Sequence, residues 1–351
     1  MKEQKVIIDI KSTIRDALKQ LSNSGEKCLV VVGDEEKFIG TLSDGDVRKA
    51  ILDGKEFGGS IEAIFNKNST YLIEGEYSKK EVKNIFLENK FDLIPVIDKS
   101  GKIIDILNWV KIFENGKSRI KTSLNVPVVV MAGGRGTRMD PFTKVLPKPL
   151  IPIHGKPIIE HIIERFTIIG CSDFHLTVNY KSSILKAYFE ELRPDYSIQF
   201  IEEKNPLGTG GSLKFLEGKF SHPFFVTNCD IIIKTDYATL YEFHKKGDYD
   251  VTLVASTKEY IIPYGTCELN KSGHLSHINE KPTYDFLINT GLYILNPDVL
   301  STIPMNKFYH ITHMIEDLKN AGKKIGIFPI DDDAWIDVGQ WAEYKKAVEK
   351  F

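Results

Sequence analysis

The first 120 residues carry one pattern of apolar and polar positions twice. An amphipathic helix is predicted after Thr13, and the same signal returns 65 residues later, after Ser78. Both starts fit a capping box, in which a hydroxyl caps the helix and an acid three residues further on bonds back. The apolar runs 28–32 and 93–97 stand at the same offset and predict strands. We therefore expect two copies of a helix, strand, turn, strand unit.

A polar stretch from Glu114 to Ser123 has little to bury and predicts a linker. After it, strand-like runs alternate with helical ones, which favours a mostly parallel sheet covered by helices on both faces. The predicted strands are 128–131, 174–178, 224–227, 251–255 and 288–295, and the predicted helices are 158–169, 184–192, 240–246 and 314–321. We expect one domain at 1–120 and a second at 124–351.

The charge balance and the cysteines limit the classes of function. The chain has 351 residues, with 46 Lys and Arg against 48 Asp and Glu, which excludes a strongly basic nucleic-acid binder. Charges near the start are too frequent for a signal peptide, and no apolar run reaches the roughly 18 residues that a membrane span needs. The four cysteines are scattered, which favours reduced thiols, although the spacing leaves one bridge open. We expect a cytoplasmic protein without a nucleic-acid or membrane partner.

A glycine-rich turn, Ala132 to Arg138, directly follows the predicted strand 128–131. Backbone amides in such a turn can point at phosphate oxygens. The turn is not a Walker A loop, because no G-K-[ST] follows, and it fails G-x-G-x-x-G at Met139. Cations outnumber acids four to one from 135 to 150, in a chain that is net acidic. A plain surface turn would explain the glycines alone, whereas the added charge favours a polyphosphate substrate.

The stretch from Ala132 to His161, AGGRGTRMDPFTKVLPKPLIPIHGKPIIEH, resembles the signature of the sugar-phosphate nucleotidylyltransferases. The resemblance implies a Rossmann-like, GT-A-like α/β domain with a mixed, mostly parallel sheet. It also implies that a nucleoside triphosphate is joined to a sugar 1-phosphate with release of pyrophosphate. Arg138 would hold the leaving pyrophosphate, and Lys148 would contact the phosphates of the reacting centre. The loop residues that would bind the nucleotide are Ala132, Gly133, Gly134, Gly136 and Thr137.

Two aspartates would complete this centre. Asp230 follows the predicted strand 224–227, at the end where ligands bind in open α/β sheets, and Asp337 lies in a W-x-D-x-G segment. By the same resemblance, both would bind Mg²⁺. Magnesium is usually held by one or two carboxylates together with phosphates and waters, so a pair is sufficient. An N-cap or a turn would explain either aspartate taken alone.

A second glycine turn, Asn205 to Ser212, resembles the base-binding segment of this superfamily, with Gly208 and Thr209 at the nucleotide. Its form, LGTGGSL, is more similar to guanylyltransferases than to thymidylyl enzymes, which favours GTP. Further segments resemble the sugar-binding loops and the E-K-P motif. The residues that would bind the sugar phosphate are Gly265, Glu280, Lys281 and Asn289. A solvated strand end would explain Glu280 equally well.

Two other groups of side chains could suggest a cation site. His310 and His313 stand at helical spacing, but no third ligand has suitable spacing, so we expect a surface pair. The acid run from Asp331 to Asp333 precedes the Asp337 segment, and we expect a solvated turn.

The repeated front half resembles a pair of cystathionine β-synthase (CBS) motifs, an α+β module. In such motifs a Gly-x-x-Ser/Thr-x-x-Asp stretch contacts the ribose of an adenine nucleotide. The first copy keeps this stretch, and the second does not. The residues are Gly40, Ser43 and Asp46 in the first copy and Asp105, Asn108 and Lys111 in the second. We therefore expect at most one adenine-nucleotide site, at Ser43 and Asp46. Dimerisation alone is the alternative, and we expect a homo-oligomer.

The leading hypothesis is a magnesium-dependent nucleotidylyltransferase that makes a nucleotide sugar and carries a CBS module. The order of the two parts resembles bacterial glucosamine 1-phosphate guanylyltransferases of legionaminic acid biosynthesis, with mannose or heptose 1-phosphate guanylyltransferases and thymidylyl or uridylyl enzymes as alternatives. A GT-A glycosyltransferase is a second hypothesis, but Asp230 is followed by Ile231 and Ile232 rather than by a D-x-D pair. A nucleotide-sensing scaffold with an inactive transferase domain is a third.

Overall fold

The structure is a computed structural model and describes residues 3–89, 91–112 and 123–350. The chain divides into two compact units. The first contains Met1–Ile120, Ser256–Ile288 and Pro329–Asp333, and the second contains Lys121–Ala255, Asn289–Phe328 and Ala334–Phe351. Of the predicted linker, 114–123, only Ser123 lies within the described residues.

The sequence repeat is a structural repeat. Corresponding helices and strands of the two copies begin 65 residues apart, as in Ile14 and Lys79. Each copy has a three-stranded sheet in which the middle strand pairs parallel with the first and antiparallel with the third. The elements are β1 (Ile7–Asp9), α1 (Ile14–Ser24), β2 (Cys28–Val32), β3 (Phe38–Ser43), α2 (Asp44–Leu52), β4 (Leu72–Ile73), α3 (Lys79–Asn89), β5 (Leu93–Ile97), β6 (Ile103–Asn108) and α4 (Trp109–Ile112).

The predicted capping box is present at the start of α1. The Thr13 side chain accepts a hydrogen bond from the Asp16 amide, and the Asp16 carboxylate accepts one from the Thr13 amide. The same reciprocal pair joins Ser78 to Glu81 at the start of α3. Local sequence therefore sets where each of these helices begins, and the apolar face of α1 is buried against its sheet.

The second unit is built around most of a seven-stranded sheet with the order β11-β10-β7-β12-β17-β14-β18. Strands β11, β10, β7 and β12 pair parallel, and β17 runs antiparallel to β12. The predicted mixed, mostly parallel α/β sheet is therefore confirmed. The remaining elements are β7 (Val128–Met131), β8 (Pro152–Ile153), β9 (Lys156–Pro157), α5 (Ile158–Thr167), β10 (Asp173–Val178), α6 (Ser182–Leu192), β11 (Ser197–Glu202), α7 (Gly208–Gly211), β12 (Phe224–Asn228), β13 (Ile231–Ile233), α8 (Tyr237–Gly247), β14 (Val251–Ile261), β15 (Thr266–Leu269), β16 (Leu275–Asn279), β17 (Thr283–Leu295), α9 (Ile311–Asn320), β18 (Ile325–Ile330), β19 (Trp335–Asp337) and α10 (Trp341–Lys350).

The central strands are buried on both faces, which is typical of parallel sheets covered by helices. Every residue of β7 is buried, and β12 is buried up to Asn228. Helix α5 packs its apolar face inward, where Phe166 contacts Phe225 on β12. The two adjacent strands β7 and β12 end in loops on the same edge of the sheet. Ligands of open α/β sheets bind at this edge.

Strands β14 and β17 are longer than the sequence pattern predicts. Each continues beyond the buried part of the sheet, and between them lies the hairpin of β15 and β16. We call residues 256–288 the arm. Most of its side chains are exposed, so it has no apolar periodicity that would have revealed it.

In the described part of the chain, none of the helices combines the length and the apolar character needed to cross a membrane.

Candidate active site

A cavity of about 390 Å³ lies at the carboxyl ends of β7 and β12. Three groups of residues line it: the glycine turn after β7, the segment after β12, and the second glycine turn together with residues before α9. The lining residues are Met131, Gly133, Gly134, Gly136, Thr137, Arg138, Lys148, Thr177, Glu203, Pro206, Gly208, Thr209, Asn228, Cys229, Asp230, Phe308 and His310. The structure thus brings together most residues that the sequence assigns to the nucleotide, the two cations assigned to the phosphates and the first aspartate.

Glycine is needed at different positions of the first turn for different physical reasons. Gly136 has φ +68°, and a Cβ there would lie 2.9 Å from Thr143 Cγ2. A Cβ on Gly133 would lie 2.7 Å from Glu203 Oε1. Gly134 faces open space, so its backbone is accessible to a ligand. Ala132 differs from the other loop residues assigned to the nucleotide, because its amide already donates to the Thr177 carbonyl and cannot also bind phosphate.

Lys148 and Asp230 form an ion pair in the cavity. Both side chains are largely buried, with exposed fractions of 8% and 15%. Lys148 opens one turn of 3₁₀ helix, Lys148–Leu150, directly after Pro147 in extended conformation. Pro149 is tolerated in this turn, because its missing N–H costs nothing in the first turn of a helix. A buried lysine side chain has few accessible rotamers, so the Lys148 ammonium is held in one position.

Asp337 reaches the same place from the end of the chain. Strands β13 and β19 pair antiparallel and set Ile231 opposite Asp337. Burial raises the pKa of the Asp337 carboxyl, and the nearby Asp230 charge raises this pKa further. The Gly339 amide donates to Asp337 Oδ1 at 2.7 Å, and this bond, Lys148 and Arg138 lower the pKa. Two carboxylates held this close repel each other unless a cation lies between or beside them.

A small space beside Gly339 shows how closely the three charges converge. A Cβ on Gly339 would lie 2.6 Å from Asp230 Oδ2, 2.9 Å from Asp337 Oδ1 and 3.1 Å from Lys148 Nζ. Hard oxygen ligands facing one small space are the donor set that Mg²⁺ takes. Among the described residues no group of three or more His, Cys, Asp and Glu could hold a metal. A metal at this pair would complete its coordination with phosphates and water.

The cavity lining also includes residues to which the sequence assigns no role in binding. Glu203 is 7% exposed and lines the cavity, and its Oε2 accepts the Leu207 amide at 3.0 Å. Burial raises the pKa of the Glu203 carboxyl, whereas hydrogen bonds with the Leu207 backbone and with Ser212 and Thr177 lower it. Glu203 immediately follows β11, so an acid at the carboxyl end of a strand was the available signal. Phe308 and His310 also line the cavity. His310 is marked in the sequence only by its spacing to His313, and no pattern marks Phe308.

The second turn needs glycines because its backbone packs closely against the segment before α9. A Cβ on Gly208 would lie 2.8 Å from the Tyr309 carbonyl, and one on Gly210 would lie 2.8 Å from the Ile311 amide. The amides of Gly210 and Gly211 both donate to the Tyr309 carbonyl. Gly208 and Thr209 line the cavity. The turn therefore joins the segment before α9 to the cavity.

The residues assigned to the sugar phosphate fall in two places. Gly265, Glu280 and Lys281 lie on the arm, where a Cβ on Gly265 would be 2.9 Å from Glu280 Oε2. Glu280 and Lys281 are exposed, and Lys281 has φ +47°. Asn289 lies on β17, where it donates to the Tyr293 hydroxyl at 2.9 Å and accepts the Gly291 amide.

Ser43 and Asp46, the residues assigned to a CBS nucleotide, form the capping box of α2. The Asp46 carboxylate accepts hydrogen bonds from the Ser43 amide and hydroxyl. The second copy keeps the cap with another residue, since Asn108 accepts the Lys111 amide. Both stretches therefore have a structural use at the start of a helix.

The side chains set aside as cation sites are accounted for. His310 Nδ1 lies 3.4 Å from the Thr209 hydroxyl, and its ring packs edge-on against His313. Asp332 pairs with Lys258, and Asp333 pairs with Lys19. Asp331 is buried and accepts the Asp333 amide at 3.0 Å. The acid run is therefore a turn fixed by ion pairs rather than a fully solvated one.

Comparison with known families agrees with this geometry. The family model described as nucleotidyl transferase matches residues 127–351. The chain belongs to the nucleotidyl transferase family. The model of the CBS domain matches residues 1–53, the first copy of the repeat. The resemblances to both families are therefore confirmed.

Relatives of the transferase part are named mannose-1-phosphate guanyltransferases. The chain is 36% identical over 223 residues to the protein from Aspergillus fumigatus and 37% identical over 223 residues to that from Hypocrea jecorina. Each match covers 60% of this chain and 60% of the relative, so the chain spans less than two thirds of the relatives' length.

Solved structures show the same fold. The crystal structure of HddC from Yersinia pseudotuberculosis is 29% identical, with a TM-score of 0.51, and the match covers 64% of this chain and 99% of HddC. A second crystal structure of HddC, complexed with GMP-PN, is 28% identical with the same TM-score.

Proposed function

We propose that this protein transfers a nucleotidyl group from GTP to a hexose or hexosamine 1-phosphate, giving a GDP-sugar and pyrophosphate. The observation that carries the proposal is the convergence of Lys148, Asp230 and Asp337 beside a glycine turn whose backbone is open to a ligand. Family membership supports the reaction class. Phosphoryl-type transfer needs positioned charge rather than a protein nucleophile, and this cavity supplies it.

In the proposed reaction, a phosphate oxygen of the sugar 1-phosphate attacks the α-phosphorus of GTP. The bond from that phosphorus to the bridging oxygen breaks, and pyrophosphate leaves with the electron pair. Lys148 neutralises charge that develops on the α-phosphate, and Arg138 holds the leaving pyrophosphate. Asp230 and Asp337 would hold Mg²⁺, which when bound would supply positive charge to offset that of the phosphates. No proton transfer to the protein is required, because both reacting groups are already anions.

Glu203 supports guanine as the base. A carboxylate only accepts hydrogen bonds, and guanine offers two adjacent donors, N1–H and the 2-amino group, on one edge. Adenine offers one donor beside an acceptor, and uracil offers one donor between two carbonyls, which a carboxylate repels. Glu203 lines the same cavity as Gly208 and Thr209, the residues of the second glycine turn that resemble a base-binding segment. The relatives' names and the HddC complex with GMP-PN point the same way.

For the acceptor, we propose glucosamine 1-phosphate or mannose 1-phosphate. The order of a CBS repeat before the transferase supports the first, and the names of the relatives support the second. The test is an assay of pyrophosphate release with GTP, ATP, UTP and dTTP against both acceptors and glucose 1-phosphate. Mass spectrometry identifies the nucleotide sugar. A product with a base other than guanine would contradict the choice of GTP, and no product from any pair would contradict the reaction.

For the first repeat, we propose one adenine-nucleotide site at Ser43 and Asp46. The match of the CBS model to residues 1–53 supports it. Titration calorimetry with AMP and ATP tests it, with Asp46→Ala as the binding variant. Asp16→Ala removes the equivalent cap of α1 and controls for loss of a helix cap. Binding that survives in Asp46→Ala, or no binding by the parent protein, would contradict the proposal.

A further inference from the structure

Arg15, at the start of α1, joins the N-terminal repeat to the arm. Its guanidinium forms ion pairs with Glu259 on β14 and with Asp285 on β17, the first with Nε 3.2 Å from Oε2. One side chain thus links both strands that lead into and out of the β15–β16 hairpin. An arginine reaching two carboxylates at once holds them in fixed relative positions.

The repeat itself orients Arg15. The Arg15 amide donates to the Phe57 carbonyl at 2.9 Å, and the guanidinium lies 5.7 Å from the Phe57 ring centroid. The Arg15 side chain is 24% exposed and that of Asp285 is 26% exposed, so the pair is less screened than a surface ion pair. A cation packed on a ring and paired with two acids has little freedom to leave.

A second cation follows one helical turn later. Lys19 pairs with Asp333 at 3.5 Å, and Asp333 lies four residues before Asp337 in the chain. Residues four apart share a face of a helix, so one face of α1 contacts two separate acidic segments of the transferase sequence. Lys258 of the arm pairs with Asp332 in the same acid run.

We propose that Arg15 positions the arm for binding of the sugar 1-phosphate, so that the first repeat is part of the acceptor machinery. The inference rests on the proposed function and on the resemblance that assigns Gly265, Glu280 and Lys281 of the arm to the sugar phosphate. Asp285 is four residues from Lys281, at most about 14 Å along an extended chain. Fixing Asp285 and Glu259 therefore limits where Lys281 can go. Arg15 acts through the arm and is a positioning residue.

The test separates acceptor binding from nucleotide binding. In the full-length protein, Arg15→Ala should raise KM for the sugar 1-phosphate by roughly tenfold, a typical coupling between sites, and leave KM for GTP within about twofold. The double variant Glu259→Gln/Asp285→Asn should give the same change, and adding Arg15→Ala to it should give no more. Lys11→Ala is the control, because it removes the exposed Lys11–Asp34 pair of the same repeat.

A second measurement does not depend on catalysis. Hydrogen exchange of peptides covering β15 and β16 should be faster in Arg15→Ala than in the parent and unchanged in Lys11→Ala. Unchanged exchange in both variants, or equal changes in both KM values, would overturn the inference. If the parent protein releases no pyrophosphate while exchange responds to Arg15→Ala, the positioning of the arm stands and the proposed function fails.

Discussion

Lys148 pairs with Asp230, although 82 residues separate them in the chain. The pair exists because β7 and β12 are adjacent parallel strands whose following segments meet at one edge of the sheet. Asp337 joins them through the short pairing of β19 with β13. The arrangement concentrates two negative charges and one positive charge beside the cavity, of which Lys148 and Asp230 are lining residues.

Gly339→Ala should abolish activity without unfolding the protein. The added Cβ would lie 2.6 Å from Asp230 Oδ2 and 2.9 Å from Asp337 Oδ1, and so would fill the space that a cation needs. We expect loss of at least about 100-fold in kcat/KM, about 2.7 kcal/mol of barrier, with a thermal midpoint near that of the parent. Gly58→Ala is the control, because nothing lies within 4 Å of the added Cβ. Full activity in Gly339→Ala would rule out a metal beside this glycine.

Glu203→Gln should weaken the preference for GTP. The amide keeps the shape of the side chain but places a donor where guanine also presents donors. Losing hydrogen bonds to a charged group should lower kcat/KM for GTP by roughly 10- to 100-fold, with a smaller effect on ATP. Steady-state kinetics with both nucleotides measures the ratio. An equal loss for both nucleotides would indicate that Glu203 only supports the turn through the Leu207 amide.

Only one of the four cysteines should react with a thiol reagent in the folded protein. Burial raises the pKa of Cys28 and Cys229 to about 12 and that of Cys171 to about 11, so thiolate is scarce at neutral pH. Cys267 on β15 is exposed. Intact-mass analysis after labelling should show one adduct natively and four in denaturant. Labelling that persists in Cys267→Ser would show that a buried thiol is accessible.

Stability should fall as pH drops below neutral because of His244. The ring lies between Thr252 and Asn296, with Nδ1 2.8 Å from the hydroxyl and Nε2 3.2 Å from the amide oxygen. Burial lowers the pKa of His244 below 6.5, so the folded state binds fewer protons than the unfolded state. The contribution of neutral His244 to the free energy of unfolding is complete above about pH 6.5, the histidine pKa in the unfolded chain. It is lost as the pH falls through the lower pKa that His244 has in the folded protein.

Chemical denaturation at several pH values measures this effect. The His244→Gln side chain can still form hydrogen bonds but does not titrate. The free energy of unfolding of this variant should therefore depend less steeply on pH than that of the parent between roughly pH 5 and 6.5, the range just below the ordinary histidine pKa. Equal slopes for His244→Gln and the parent would contradict the prediction.

Much of the fold could be predicted from the sequence, because buried elements carry periodicity. Strand β7 has the predicted bounds, and α5 begins at the predicted Ile158. The arm could not be predicted, because both faces of β15 and β16 are largely exposed and no apolar face results. Edge strand β11 alternates only weakly and was also missed.

Some residues of the candidate site could be predicted from the sequence and others could not. Lys148, Asp230 and Asp337 stand in motifs whose spacing is visible in the chain, and the fold brings them together. Glu203 and His310 reach the cavity from loops that have no recurring pattern. Arg15 looks like any polar residue on an amphipathic helix, and its partners lie more than 240 residues away. Such contacts depend on how folded segments meet, which local patterns do not encode.

The central claim is that charge at Lys148 drives nucleotidyl transfer in this cavity, and the direct measurement is the rate of pyrophosphate release by Lys148→Ala. With GTP, Mg²⁺ and the best acceptor, we expect the rate to fall about 10³- to 10⁵-fold, about 4 to 7 kcal/mol of barrier. Lys156→Ala, which removes an exposed lysine paired with Glu164, should retain the parent rate. A loss of tenfold or less in Lys148→Ala would contradict the account.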